Sequence, residues 1–346
     1  MTKGDEVMTF VKKNSAGIGL TILIAIAAKS ISGLIPSNLI SPGVFSLLLG
    51  MAINPIILKY DFLKSGMKFV SKKILRLAII LMGVTLSFSQ VLEVGKYSLI
   101  VMVFTLFVAF GGGYYIGKLF NMNWKLSGLI SAGTGICGGS AIAAIAPTID
   151  ADSNDVAYAI SATFIFDILM VILFPIMGRY FGMSDLGFGL WTGTAVNDTS
   201  SVVAAGYAFS DAAGNFSLIV KLTRTLSIIP AVLIFSYINE KLNSKKGGNG
   251  EIIKNKVNIK NIFPWFILMF LFVVGIKSTG LIPHNLSDSI ASMSKFFMVM
   301  SLGAIGLSTN FKEVSKSGLL PMFHGFIIST LVVIVSFVVQ MFMGQI

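Results

Sequence analysis

Charge is scarce in this chain. Asp, Glu, Lys and Arg make up only 12% of its 346 residues, against about 25% in ordinary soluble domains. That deficit excludes a water-solvated globular surface. Cysteine is nearly absent. Cys137 stands alone, so no intrachain disulfide can form and no cysteine-based zinc spacing exists. Histidine occurs twice, as His284 and His324, and no nucleophile triad spacing accompanies either. A Walker A loop and a haem motif are also missing, and no cleavable signal follows Lys12 and Lys13. The apolar run 16–35 is therefore expected to stay as a first span.

What fills the chain is apolar material. Hydrophobic residues reach 55%, with a mean hydropathy of +0.86. Such a sequence needs a lipid solvent. The 26 Lys and Arg exceed the 15 Asp and Glu. In a membrane protein that excess marks basic cytoplasmic loops, not a nucleic-acid partner.

A spanning helix needs about 20 mostly apolar residues. Eleven segments qualify: 15–35, 42–58, 73–91, 97–118, 125–149, 155–178, 186–209, 213–239, 261–280, 289–309 and 316–344. With the N-terminus in the cytoplasm, the inside loops collect Lys59 to Arg76, Lys118 and Lys125, Arg179, Lys241 to Lys260, and Lys312 with Lys316. An outside loop is acidic, with Asp150, Asp152 and Asp155. This ordering obeys the positive-inside rule and puts the C-terminus outside. One transmembrane transporter domain, 1–346, is expected, with a flexible cytoplasmic linker at about 241–260. Residues 60–72 read either as an amphipathic interfacial helix or as a basic loop.

Two stretches echo others. Met82–Leu99 aligns without gaps on Leu302–Leu319, pairing Gly83 with Gly303, Glu93 with Glu313 and Lys96 with Lys316. By this topology the copies fall in oppositely oriented spans, as in the inverted repeats of secondary transporters; chance similarity between apolar segments is the alternative. The second echo sets "GTGICGGSAIAA", from Gly133, beside "GTAVNDTSSVVAA", from Gly193. Gly135, Gly138 and Gly139 disfavour an unbroken helix. Asn197, Asp198, Thr199 and Ser200 are poor helix formers and good N-caps. Both spans are thus expected to break, with second halves beginning near Ser140 and near Asp198–Ser200. Helix starts leave unpaired N–H groups and a positive dipole end, which suit an anion. Close helix crossing through glycine is the competing structural explanation.

Charges inside spans are few, and four lie well within the sixth to eighth: Asp167, Asp198, Lys221 and Arg224. Their formal sum is zero, which argues for pairing across neighbouring helices. Lys221 and Arg224 are three apart and share a helix face. Arg224 is the preferred anion ligand, through its guanidinium fork, while Lys221 has the option of snorkelling outward. Asp198 either pairs with one of these cations or takes a proton when substrate binds, which would couple transport to protons. His324 reads as a proton relay or as a packed, hydrogen-bonded side chain. Cys137 as a nucleophile lacks a partner.

The run "GTGICGGSAIAAIAPTI", then "DVAYAISATFIFDILMVILFP", "GLWTGTAVNDTSSVVAAGYAFSDAAG" and "VKLTRTL", resembles the sulfate exporter family of YeiH-type bacterial membrane proteins. The likeness runs over essentially the whole chain and is densest from Trp124 to Leu226. It implies a multi-pass transporter of the bacterial inner membrane, with a sulfur oxyanion as cargo. The family pattern often carries His before the Asp-Thr-Ser. This chain has Asn197 there, so no imidazole relay is implied at that point.

The expectation is an all-α polytopic membrane protein with about eleven transmembrane helices, inverted repeats and two broken, crossing helices in the core. It is read as a secondary active transporter, exporting a small anion by alternating access, and not as an enzyme. Gly138, Gly139, Ser140, Asn197, Asp198, Thr199, Ser200, Lys221 and Arg224 are the candidate substrate site. Asp198 and Asp167 are the candidate coupling groups. Expected partners are a small anion, the lipid bilayer and a coupling proton or sodium ion; a homodimer is allowed. No cofactor, metal or nucleic acid is expected. The rivals are a cation/proton or sodium-coupled carrier using Asp167 and Asp198, an anion channel, and an intramembrane enzyme using Cys137.

Overall fold

Apolar runs have few ways to exist in lipid, because every backbone N–H and C=O needs a partner within the protein. The helix satisfies that locally. In the computed structural model, which describes residues 3–34, 41–57, 59–245, 263–308 and 318–345, all regular structure is helical. The α-helices among the described residues are α1 (Lys3–Leu34), α2 (Pro42–Ile57), α3 (Asp61–Phe69), α4 (Leu75–Met82), α5 (Phe88–Leu119), α6 (Trp124–Ala132), α7 (Gly139–Ile145) and α8 (Ser153–Tyr180). They continue with α9 (Asp185–Ala195), α10 (Thr199–Phe209), α11 (Asp211–Thr225), α12 (Ile228–Lys245), α13 (Trp265–Ser278), α14 (His284–Leu307) and α15 (Leu319–Phe342).

Among the described residues, six stretches are long and apolar enough to cross a membrane: Lys13–Gly33, Phe88–Leu119, Ser153–Tyr180, Asp211–Asn243, Asn285–Leu307 and Leu319–Phe342. The other expected spans are short or interrupted. Segments 42–58 and 261–280 contain helices of 16 and 14 residues. Segments 73–91, 125–149 and 186–209 are each broken, and 125–149 turns back on itself: Lys125 Nζ donates to the Asp150 carbonyl at 2.7 Å, which corrects the expectation of these two residues in loops on opposite sides. The break in 73–91 shifts a boundary: α4 ends in a 3₁₀ turn, Gly83–Thr85, and Leu86 is extended at φ −118°, ψ 146°. Consequently α5 begins at Phe88 and not near 97. A capping box sets that start. The Gln90 N–H donates to Ser87 Oγ at 3.2 Å, and the Ser87 N–H donates to Gln90 Oε1 at 2.9 Å. Within 60–72, the amphipathic helix α3 forms, burying Leu63, Gly66 and Met67.

The chain divides into two compact units. The first comprises Met1–Leu92, Val203–Asn215 and Trp265–Phe311. Its helices approach through small residues, the packing habit of membrane helices. A Cβ on Gly50 would meet the backbone of Gly303, Gly306 and Leu307, and one on Gly17 the backbone of Leu63, Gly66 and Met67. Asn54 Nδ2 donates to the Leu307 carbonyl at 2.6 Å, and Ser294 Oγ to that of Ala78 at 2.6 Å.

The second unit comprises Glu93–Val202, Phe216–Pro264 and Lys312–Ile346. Its apolar core includes Leu129, Ile130, Ile136, Ile142, Ile145, Ile328 and Val332. Trp191 is fully buried; its indole N–H donates to the Val333 carbonyl at 3.1 Å, and its ring lies 4.2 Å from that of Phe174. α15 presents His324, Ser329, Ser336 and Gln340 to this interior, each buried. Most of the linker expected at 241–260 lies outside the described residues; 241–245 continue α12. Residues 309–317 of the 302–319 echo, including Glu313 and Lys316, also lie outside them.

Candidate functional site

Both helix breaks of the second echo fall in the second unit, where the two sequences align. Near Gly133, α6 widens into a π-turn, Gly133–Cys137, whose last N–H bond runs from Gly138 to the Gly133 carbonyl at 2.8 Å. Gly138 then takes φ +65°, ψ −135°, and α7 starts at Gly139. Near Gly193, α9 ends at Ala195, Val196 is extended at φ −82°, ψ 136°, and α10 starts at Thr199. The two restarts, Gly139 and Thr199, occupy equivalent places in the echo. The breaks also meet: a Cβ on Gly138 would lie 3.4 Å from Asp198 Cα and Cβ.

Each break exposes helix-end groups that need partners in an apolar layer. The four intramembrane charges supply them. Lys221 and Arg224, on α11, are both buried completely. Lys221 Nζ donates to the carbonyls of Ile136 at 2.9 Å and Val196 at 3.0 Å. Arg224 Nε donates to the Gly135 carbonyl at 2.6 Å; its two terminal nitrogens donate to the carbonyls of Thr134 and Thr194. Each cation therefore ties one break to the other at their negative, carbonyl-bearing ends.

Asp167, on α8, does the converse. Its two carboxylate oxygens accept the backbone N–H groups of Asn197 at 2.7 Å and Asp198 at 2.9 Å. Asp198 caps α10, accepting the Ser200 N–H at 2.8 Å and the Ser200 hydroxyl. Backbone groups, not opposite side-chain charges, thus neutralise these residues. Among the described residues, no ion pair within 4 Å joins any of these four charges to another. This corrects the expectation of pairing across helices. It also removes the snorkelling option for Lys221, since α11 holds the ammonium against two break carbonyls.

Of the remaining expected site residues, Asn197 is fully buried and Ser200 nearly so. Gly139, Asp198 and Thr199 are half-buried and Ser140 is exposed, and a Cβ on Gly139 would meet nothing within 4 Å. Gly139, Ser140, Asp198 and Thr199 form the accessible edge of the site. Cys137 is a buried free thiol. His324 is packed: Nε2 lies 3.0 Å from the Gly113 carbonyl and 3.2 Å from Ser127 Oγ.

The α15 contacts escaped sequence reasoning. Ser329 Oγ lies 3.4 Å from Thr134 Oγ1 and 3.5 Å from Asn197 Nδ2, and Ser336 Oγ bonds Thr194 Oγ1. Their signal was the helical spacing of Ser329, Ser336 and Gln340 along one face.

A helical, apolar chain whose interior holds two broken helices fastened by buried charges is an integral membrane protein. The family described as conserved hypothetical protein 698 matches residues 16–325. A UPF0324 membrane protein of Clostridium tetani is 70% identical over 345 residues, covering 98% of this chain and 100% of that one. UPF0324 membrane proteins of Streptococcus pneumoniae serotype 4 and Fusobacterium nucleatum are 39% and 36% identical, over 90% and 95% of this chain and 91% and 98% of theirs. The chain belongs to the UPF0324 membrane protein family. No solved structure matches it.

Proposed function

We propose that the protein is a secondary active transporter of a small anion, working by alternating access around the paired helix breaks. The observation carrying this reading is the pair of breaks in one unit, tied together by fully buried Lys221 and Arg224. Interrupted backbone at membrane depth is tolerated only where it lines a cavity or is held by protein, and discontinuous helices recur at carrier binding sites. The accessible groups at the breaks, Gly139, Ser140 and Thr199, offer backbone and hydroxyl donors without a fixed positive charge. They suit an oxyanion that sheds part of its water. Sulfate, sulfite and small carboxylates are the substrates to test first, with export as the direction.

The inverted repeat and an inner-membrane location with the N-terminus in the cytoplasm belong to the same proposal. So does a carrier role in preference to an enzyme: Cys137 is buried, and among the described residues no histidine bonds it. In this reading Lys221, Arg224 and Asp167 position the breaks, while Gly139, Ser140 and Thr199 meet the anion.

The test is uptake and counterflow of labelled sulfate, sulfite and a carboxylate in proteoliposomes. Saturable counterflow lost in Ser140→Ala/Thr199→Val is the expected result. Flux that never saturates would make the protein a channel, and no flux of any anion would refute the anion reading. A sodium-driven cation flux would instead support the rival carrier built on Asp167 and Asp198.

A further inference from the structure

The carbonyls before the two breaks form a site of a kind that elsewhere holds an ion. In carriers with broken helices, unwound carbonyls and half-helix C-terminal ends coordinate sodium or protons. Here Lys221 Nζ occupies that place, 2.9 Å from the Ile136 carbonyl and 3.0 Å from the Val196 carbonyl, one from each break. We infer that Lys221 is a tethered substitute for a monovalent cation, so that the native protein needs no sodium or potassium at its breaks.

Ligand type carries the class. Both contacts are neutral carbonyl oxygens, whereas calcium and magnesium sites are built on carboxylates. A monovalent cation suits such a neutral shell. Charge points the same way. The groups facing Lys221 are Arg224, Cys137, Asp167 and Asp198. The four formal charges cancel while Lys221 is present. Its removal leaves one net negative charge beside two carbonyls that have lost their donor. A free monovalent cation restores both the charge and the contacts.

The inference deepens the carrier reading, but its readout is folding and not flux, so either can fail alone. The full-length protein, purified in detergent, is melted in NaCl, KCl or choline chloride at equal ionic strength. The wild type is expected to melt at one temperature in all three salts. Lys221→Ala is expected to melt lower in choline and to recover, saturably, as Na⁺ or K⁺ replaces it. Lys221→Met, which fills the space without charge, is expected to melt low in every salt. A wild-type melting temperature that rises with Na⁺ or K⁺ over choline overturns the inference, whatever the variants do. Lys221→Ala that ignores all three salts, or is recovered folded from none, overturns it as well.

Discussion

Replacing Arg224 by Ala tests the central geometry most directly. Three carbonyls, of Thr134, Gly135 and Thr194, lose their guanidinium donors in a fully buried place. Each buried polar group left without a partner costs about 1–3 kcal/mol. A carbonyl keeps a second lone pair, and water can reach a truncated site, so the low end applies. Three such losses give about 3–4 kcal/mol. For chains of roughly 150–250 residues, each kcal/mol lowers the melting temperature by about 2–4 °C. The expected drop is therefore roughly 10 °C, read from intrinsic tryptophan fluorescence in detergent. Arg224→Lys keeps the charge but loses the fork that reaches both breaks, and should fall between the two. Substrate binding alone makes a different prediction: weaker transport affinity with unchanged melting. If Arg224→Ala melts within about 1 °C of wild type, the guanidinium does not hold the breaks and the reasoning fails.

Asp167→Asn swaps one acceptor oxygen for a donor that faces two backbone N–H groups, of Asn197 and Asp198. It should cost about 1.5–3 kcal/mol, one charge-assisted hydrogen bond, and speed amide exchange at those two positions; unchanged exchange would show that the carboxylate does not cap the break. Gly138→Ala forces an L-residue to φ +65° and should lose about 1–3 kcal/mol. Gly139→Ala, whose Cβ would meet nothing within 4 Å, should melt close to wild type. Equal melting of the two would mean that Gly138 does not carry the turn.

The breaks were legible because they are written in residue types. Three glycines around Cys137 and the Asn197–Ser201 polar run both oppose a continuous helix; α7 restarts at the last of those glycines and α10 within the polar run. The boundary at Phe88 was legible too, as Ser87-x-x-Gln90, but the apolar window averaged over it and joined two helices into one span. The short helices α2 and α13 show the same limit of the window: hydropathy measures what a segment dissolves in, not how far it reaches. The partners of the buried charges left no such trace. A backbone carbonyl has no sequence signature, so Lys221, Arg224, Asp167 and Asp198 could be seen to balance without revealing that they never touch.

That arrangement has its own physical logic. A Lys221–Asp167 ion pair would satisfy two side chains and leave the ends of two broken helices facing an apolar interior. Splitting the pair gives the carbonyls of Ile136 and Val196 their donor and the N–H groups of Asn197 and Asp198 their acceptor, while Arg224 serves the carbonyls of Thr134, Gly135 and Thr194. The opposed half-charges at helix ends make each contact attractive without a counter-ion. It also changes what can move. Both cations sit on α11 and both bridge the two breaks, so the breaks and α11 form one mechanical piece. A transport cycle that separates the breaks must give up the bonds to one of them, two or three of the five. One that carries them together, with α11, keeps all five and needs only the accessible edge at Ser140 and Thr199 to change sides.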